Sequence, residues 1–152
     1  MPPKSVLLII FMLNQKRYMK TAGLDVHKDS IFCAVFNGKQ YSDVEVFETF
    51  STGIRKLGDY LKEAEVKRVA MESTSIYWVP VWNILSEMGF ELMLVNPFLI
   101  KQLPGRKSDV RDAQWIAQLL YKDMLRGSFV PGEQIQRKLF QLTGGRIFKK
   151  NT

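Results

Sequence analysis

With 152 residues, 46% of them hydrophobic and 24% charged, the chain is long enough for one well-buried domain, too short for two ordinary ones, and too apolar for wholesale disorder. Its single cysteine, Cys33, excludes an internal disulfide and suits a reducing, cytoplasmic setting. The net charge of +7 arises in the last third: residues 1–100 carry 11 Lys/Arg against 11 Asp/Glu and residues 101–152 carry 11 against 4, which points to a polyanionic partner or to a solvated basic helix.

The chain opens on an apolar run over residues 5–13, too short to span a bilayer and followed by Asn14-Gln15-Lys16-Arg17-Tyr18 with no small-residue cleavage site. No membrane segment is expected. A second methionine, Met19, directly precedes the first convincing strand, so residues 1–18 read as an extension outside the core. Strands are expected over 21–26 and 30–36, then a hairpin turn at Asn37-Gly38-Lys39 and a third strand over 44–49, all three pairing antiparallel. In the second strand Phe32, Ala34 and Phe36 alternate with Ile31, Cys33 and Val35, so both faces are apolar and both should be covered. Cys33 within this run reads as a buried, inert thiol.

The period then changes from two to about 3.6. Ile54, Leu57, Leu61 and Ala64 recur at helical spacing behind Ser51 or Thr52 as a cap. A short buried strand over 69–72, a helix over 76–88 ended by Gly89 and a strand over 90–95 follow βαβ logic, with Pro80 bending the start of the helix. Residues 97–103 read as a short helix or turn, followed by the basic loop Pro104-Gly105-Arg106-Lys107. The longest helix is expected from Asp109 to about Arg126, capped by Ser108 and stopped by Gly127, with a second helix from 132 or 133 to 142 broken by Gly144-Gly145. The sum is a mixed-sheet α/β layer fold without internal repeats.

Four carboxylates stand out. Asp109 and Asp112 are spaced i, i+3 at a helix start, where the dipole favours acids without any function. That spacing places them on one face together with Ile116, Leu119 and Leu120, while Arg111, Gln114, Gln118 and Lys122 fall on the other. Acids that head a buried stripe need a compensating cation, which favours metal ligation over capping. Asp25 shares a strand face with Thr21 and Gly23, and Gly23 leaves room for a close approach; the competing reading is a turn-forming aspartate. Glu72 ends a buried strand before Ser73-Thr74-Ser75, where a solvated strand terminus is the plain alternative. Together the four resemble hard oxygen ligands for Mg²⁺ or Mn²⁺ in an in-line phosphoryl displacement. Arg106, Lys107 and Arg111 surround the last two and suit phosphodiester binding. His27, the only histidine, reads as a solvated turn residue or as a support for Asp25 or phosphate. Tyr77, Trp78, Trp82 and Trp115 read as core.

At three segments, Gly23-Leu24-Asp25-Val26-His27-Lys28, Met71-Glu72-Ser73-Thr74 with Tyr77-Trp78 behind it, and Lys107-Ser108-Asp109-Val110-Arg111-Asp112-Ala113, the chain resembles the N-terminal domain of DEDD transposases of the insertion-sequence family one-ten. That domain is similar to RuvC-like Holliday-junction resolvases within the ribonuclease H-like fold. The resemblance implies that Asp25, Glu72, Asp109 and Asp112 form an acidic tetrad that binds Mg²⁺ or Mn²⁺ in DNA strand cleavage and transfer during transposition and recombination. It further implies DNA as substrate, a structured guide RNA, a homo-oligomer, and a helical linker leading to a C-terminal domain with a catalytic serine. On this reading residues 1–18 are an extension, 19–130 the RuvC-like domain and 131–152 the start of a linker. The polypeptide is expected to be a truncated copy, incomplete for transposition by itself.

Two other classes compete. A noncatalytic DNA- or RNA-binding module would grip nucleic acid through the basic last third and bind in chelator. A sugar-kinase-like ATPase can also begin with a strand aspartate, but this chain lacks convincing glycine-rich phosphate loops and is short for a two-domain kinase.

Overall fold

A computed structural model of the chain describes residues 2–17 and 19–125. The expected helix over 132–142, the Gly144-Gly145 break and the proposed linker at 131–152 lie outside the described residues.

Five strands form one mixed sheet in the order β3-β2-β1-β4-β5. β1 (Thr21–Val26) and β2 (Ser30–Phe36) pair antiparallel, as do β2 and β3 (Glu45–Glu48), while β4 (Arg68–Ser73) runs parallel to β1 and β5 (Glu91–Leu94) parallel to β4. The hairpin turns where expected, with the Asn37 side-chain oxygen accepting the backbone N–H groups of Lys39 and Gln40 and Gly38 at positive φ.

Period-two alternation decides which helix each strand residue meets. Ala22, Leu24 and Val26 point into a core shared with α2 (Ser51–Glu63) and α3 (Trp78–Glu87), joined by Ile31, Cys33 and Val35. The residues between them point the other way. There Ala70 joins Ile100 of α4 (Pro97–Lys101), Val110, and Trp115, Ile116 and Leu119 of α5 (Asp112–Tyr121) in a second core. The result is a sheet covered by helices on both faces. Trp78, Trp82 and Trp115 are all buried, as their spacing suggests.

Contact between α5 and β1 is exceptionally close, and Gly23 is the reason. A Cβ built on Gly23 would lie 2.2 Å from the Ala113 carbonyl oxygen and 2.5 Å from the Ala117 nitrogen. One turn further along, the buried Thr21 hydroxyl donates to the Ala117 carbonyl at 2.7 Å. The helix backbone therefore rests directly on the strand, and its first residue arrives near the strand's C-terminal end.

Several boundaries differ from the sequence reading. α5 begins at Asp112 and not at Asp109, because Val110 is buried and Arg111 adopts an extended backbone. The Arg111 N–H donates to the Gln114 side chain, and the Val110 carbonyl accepts from Arg106, so the residues before Asp112 are satisfied outside the helix. Ser108 consequently does not cap it. At its other end α5 stops at Tyr121, where Asp123 takes a left-handed φ of 58° and the Met124 N–H returns to the Leu119 carbonyl, burying Leu125. α2 starts at Ser51 with Phe50 in the capping position and no side-chain cap, in place of the expected Ser51 or Thr52. Pro80 delays α3 to Trp78, and Gly89 terminates it at positive φ.

The N-terminal apolar run forms a helix, α1 (Lys4–Arg17), whose residues 6–13 are all exposed. Among the described residues no helix is long and apolar enough to cross a membrane.

Candidate active site

Parallel pairing of β1 with β4 places Asp25 opposite Glu72. Both follow the alternation that carries Thr21, Gly23 and Ala70 toward α5, so both carboxylates leave the sheet on the α5 face. α5 starts with Asp112 on that same face, brought close by the contact at Gly23. Residues 25, 72 and 112, far apart in sequence, are thus brought to one face of the sheet near the C-terminal ends of β1 and β4.

Burial raises the Glu72 carboxyl above its ordinary 4.5, and the negative charges of Asp25 and then Asp112 raise it further, with Lys101 and His27 opposing. Lys101, the last residue of α4, was not singled out from the sequence; the only signal was its place as the basic end of a short helix started by Asn96 and Pro97.

Asp109 behaves differently. It sits in the exposed loop before α5, off the helix, so the i, i+3 helical face that would have joined it to Asp112 does not exist. It lines a cleft of about 430 Å³ together with Asp25, His27, Phe32, Arg106 and Asp112. Its negative charge acts on Tyr41, raising that hydroxyl second to burial. Asp25, Asp109 and Asp112 thus line the cleft, and Glu72 stands opposite Asp25 on β4. Among the described residues no three His, Cys, Asp or Glu side chains stand close enough to hold one ion together.

Cationic groups hold parts of the site. Arg106 is paired with Asp112 at 2.9 Å and also donates from Nε and from a terminal nitrogen to the Val110 carbonyl at 3.0 and 2.6 Å. It is a structural pin as well as a basic residue, a role that the spacing of the loop did not disclose. His27 Nε2 lies 3.1 Å from Asp25 Oδ2, which places the histidine beside the carboxylate as a support and not in a solvated turn alone. Lys107 and Arg111 are exposed at the rim. Gln114 and Gln118, expected to face water, are half-buried: Gln114 donates to the Ser42 carbonyl, and Gln118 accepts from the Tyr41 hydroxyl, tying α5 to the segment between β2 and β3.

The donor set suits a divalent cation of the Mg²⁺ class: its candidate ligands are all carboxylate oxygens, and among the described residues there is no thiolate or histidine cluster. Cys33 is no contributor, being fully buried on the opposite face, where burial pushes its thiol far above the ordinary range.

A family model described as a transposase, for the DEDD transposases of the insertion-sequence family one-ten, matches residues 22–147. Among solved structures, RuvC of Thermus thermophilus in complex with a Holliday junction substrate is similar, with a TM-score of 0.52 and 14% identity over 72% of this chain and 98% of that one. A second Thermus thermophilus RuvC structure gives a TM-score of 0.49 at 15% identity, with the same coverage of 72% and 98%. No similar sequence is found among curated proteins. The mixed five-stranded sheet with flanking helices is thus the ribonuclease H-like, RuvC-like fold.

Proposed function

Because the chain belongs to the DEDD transposases of the insertion-sequence family one-ten, we propose that its acidic cluster supports divalent-metal-dependent DNA strand cleavage and transfer in transposition. The observation that carries this reading is the shared face of Asp25, Glu72 and the first residue of α5, at the centre of a sheet that bears a basic rim. A bound Mg²⁺ or Mn²⁺ would supply charge neutralisation and activation of the attacking oxygen.

The chain's own residues do the rest. The carboxylates of Asp25, Glu72, Asp109 and Asp112 would supply the oxygen ligands, drawing together on the cation from the more open arrangement of the described residues. His27 fixes the Asp25 carboxylate through its 3.1 Å contact. Arg106, Lys107 and Arg111 bind phosphate oxygens and set the strand over the carboxylates, a sequence-independent contribution that weakens with salt. Arg106 must leave Asp112 for that work, since its guanidinium neutralises the carboxylate that the cation requires.

A reducing cytoplasmic setting is proposed from the single, buried cysteine, and a structured guide RNA and an oligomeric assembly are proposed on family membership. The residue division into 1–18, 19–130 and 131–152 is proposed on the same ground.

The deciding experiment is calorimetry of Mn²⁺ binding by the wild type and Asp25→Asn, followed by cleavage of a branched DNA substrate. Wild-type binding that is lost in the variant supports the reading. A noncatalytic DNA- or RNA-binding module remains the second reading, favoured by the Arg106–Asp112 ion pair, and it predicts DNA affinity in chelator that Asp25→Asn leaves unchanged.

A further inference from the structure

Phe32 occupies a position that the cleavage chemistry does not use. It is paired in register with Asp25 on one side and with Val46 on the other, on the sheet face that α5 covers. Its face-mates Ala34 and Phe36 are buried, yet Phe32 is only half-buried, because α5 starts at Asp112 and does not extend over it. The ring forms part of the lining of the same 430 Å³ cleft as Asp25 and Asp112. The His27 ring stands edge-on to it at 5.4 Å, and the exposed Arg111 guanidinium lies over it at 5.6 Å.

We propose that this cleft receives a single unstacked nucleobase of the DNA next to the phosphate that is cut, with Phe32 as its stacking platform. The proposal rests on the transposase reading and adds a subsite to it. A volume of this size falls within the range of small-molecule sites. The cleft is aromatic on one wall and basic at its rim, the combination that binds single-stranded nucleic acid through a base face and a backbone. A paired duplex keeps its base faces stacked and cannot offer one to Phe32, so the occupant is a base out of the stack. On its arrival Arg111 gives up its place over the ring and moves to the adjoining phosphate, where Arg106 is already anchored to the loop by its bonds to Val110.

The test uses the full chain in chelator, so that no strand is cut, with two duplexes as probes: one fully paired and one carrying a single unpaired 2-aminopurine. The wild type should bind the second about tenfold more tightly, as stacking of one base would give, and quench its fluorescence. Phe32→Ala and Phe32→Leu should lose both the preference and the quenching while keeping wild-type affinity for the paired duplex, and Phe32→Trp should retain both. The leucine variant keeps the apolar bulk and so guards against a folding defect. Quenching and preference that survive in Phe32→Leu overturn the proposal, as does a wild type that binds both duplexes equally; in either case the transposase reading stands. A wild type that binds neither duplex overturns both.

Discussion

Asp25 and Glu72 are cross-strand neighbours on the parallel pair β1 and β4, where burial first and the Asp25 charge second raise the Glu72 carboxyl pKa. Burial, Asp25 and Asp112 all disfavour its ionised form, so the folded chain holds this proton more tightly than the unfolded chain. Stability from this group is therefore present at low pH and declines as pH rises from the ordinary 4.5 through the raised folded value. We expect Glu72→Gln to unfold at a higher temperature at pH 7 in chelator, by about 2 °C, and to flatten the pH dependence, since active-site charge clusters trade stability for function. Scanning calorimetry at several pH values checks this; a lower midpoint for the variant contradicts it.

The same cluster ranks the metal ligands. Asp25 stands in register with Glu72 on the sheet, whereas Asp109 sits on an exposed loop before α5. Asp25→Asn should weaken Mn²⁺ binding by about a hundredfold and Asp109→Asn by about tenfold, each factor of ten being about 1.4 kcal/mol. Titration calorimetry on both variants decides the order, and equal losses would put Asp109 on a par with Asp25.

Arg106 competes with a cation for Asp112 and also offers a charge to DNA. Arg106→Ala should bind Mn²⁺ about threefold more tightly in the absence of DNA, a gain of about 0.7 kcal/mol. DNA affinity should fall, and the slope of its logarithm against log salt should decrease by about one phosphate contact. Anisotropy titrations at four salt concentrations measure the slope. An unchanged slope would assign Arg106 to the Val110 loop alone.

Gly23→Ala tests the approach that builds the site. The added Cβ would meet the backbone of α5 at 2.2 Å, where no flexible side chain can give way. The helix must lift, at a cost of about 3 kcal/mol or more, and Asp112 is carried away from Asp25. Urea denaturation should show the loss. Wild-type stability in the variant would mean that α5 sits farther from β1 than described.

Much of this protein was legible in the chain because local periodicity is written in consecutive residues. The alternation in 21–26 and 30–36 and the turn at Asn37-Gly38 led directly to β1, β2 and the hairpin, and Gly23 signalled a close approach before its partner was known. The start of α5 is not legible in the chain, for an equally physical reason. Asp109 to Ala113 has an acceptable helical pattern, and only the burial of Val110 and the capture of its carbonyl by Arg106 decide that the first turn begins at Asp112.

The sequence by itself determined which residues are acidic, which strand face each occupies and that the family is a transposase one, since these depend on residue type, period and motif. Only the tertiary structure decided that Asp25 and Glu72 stand side by side, that Asp109 lies on a loop before α5 and lines the cleft with Asp25 and Asp112, and that Phe32 is left partly uncovered. Those relations depend on strand register and on where a helix backbone comes to rest, distances set by packing between segments that no local pattern encodes.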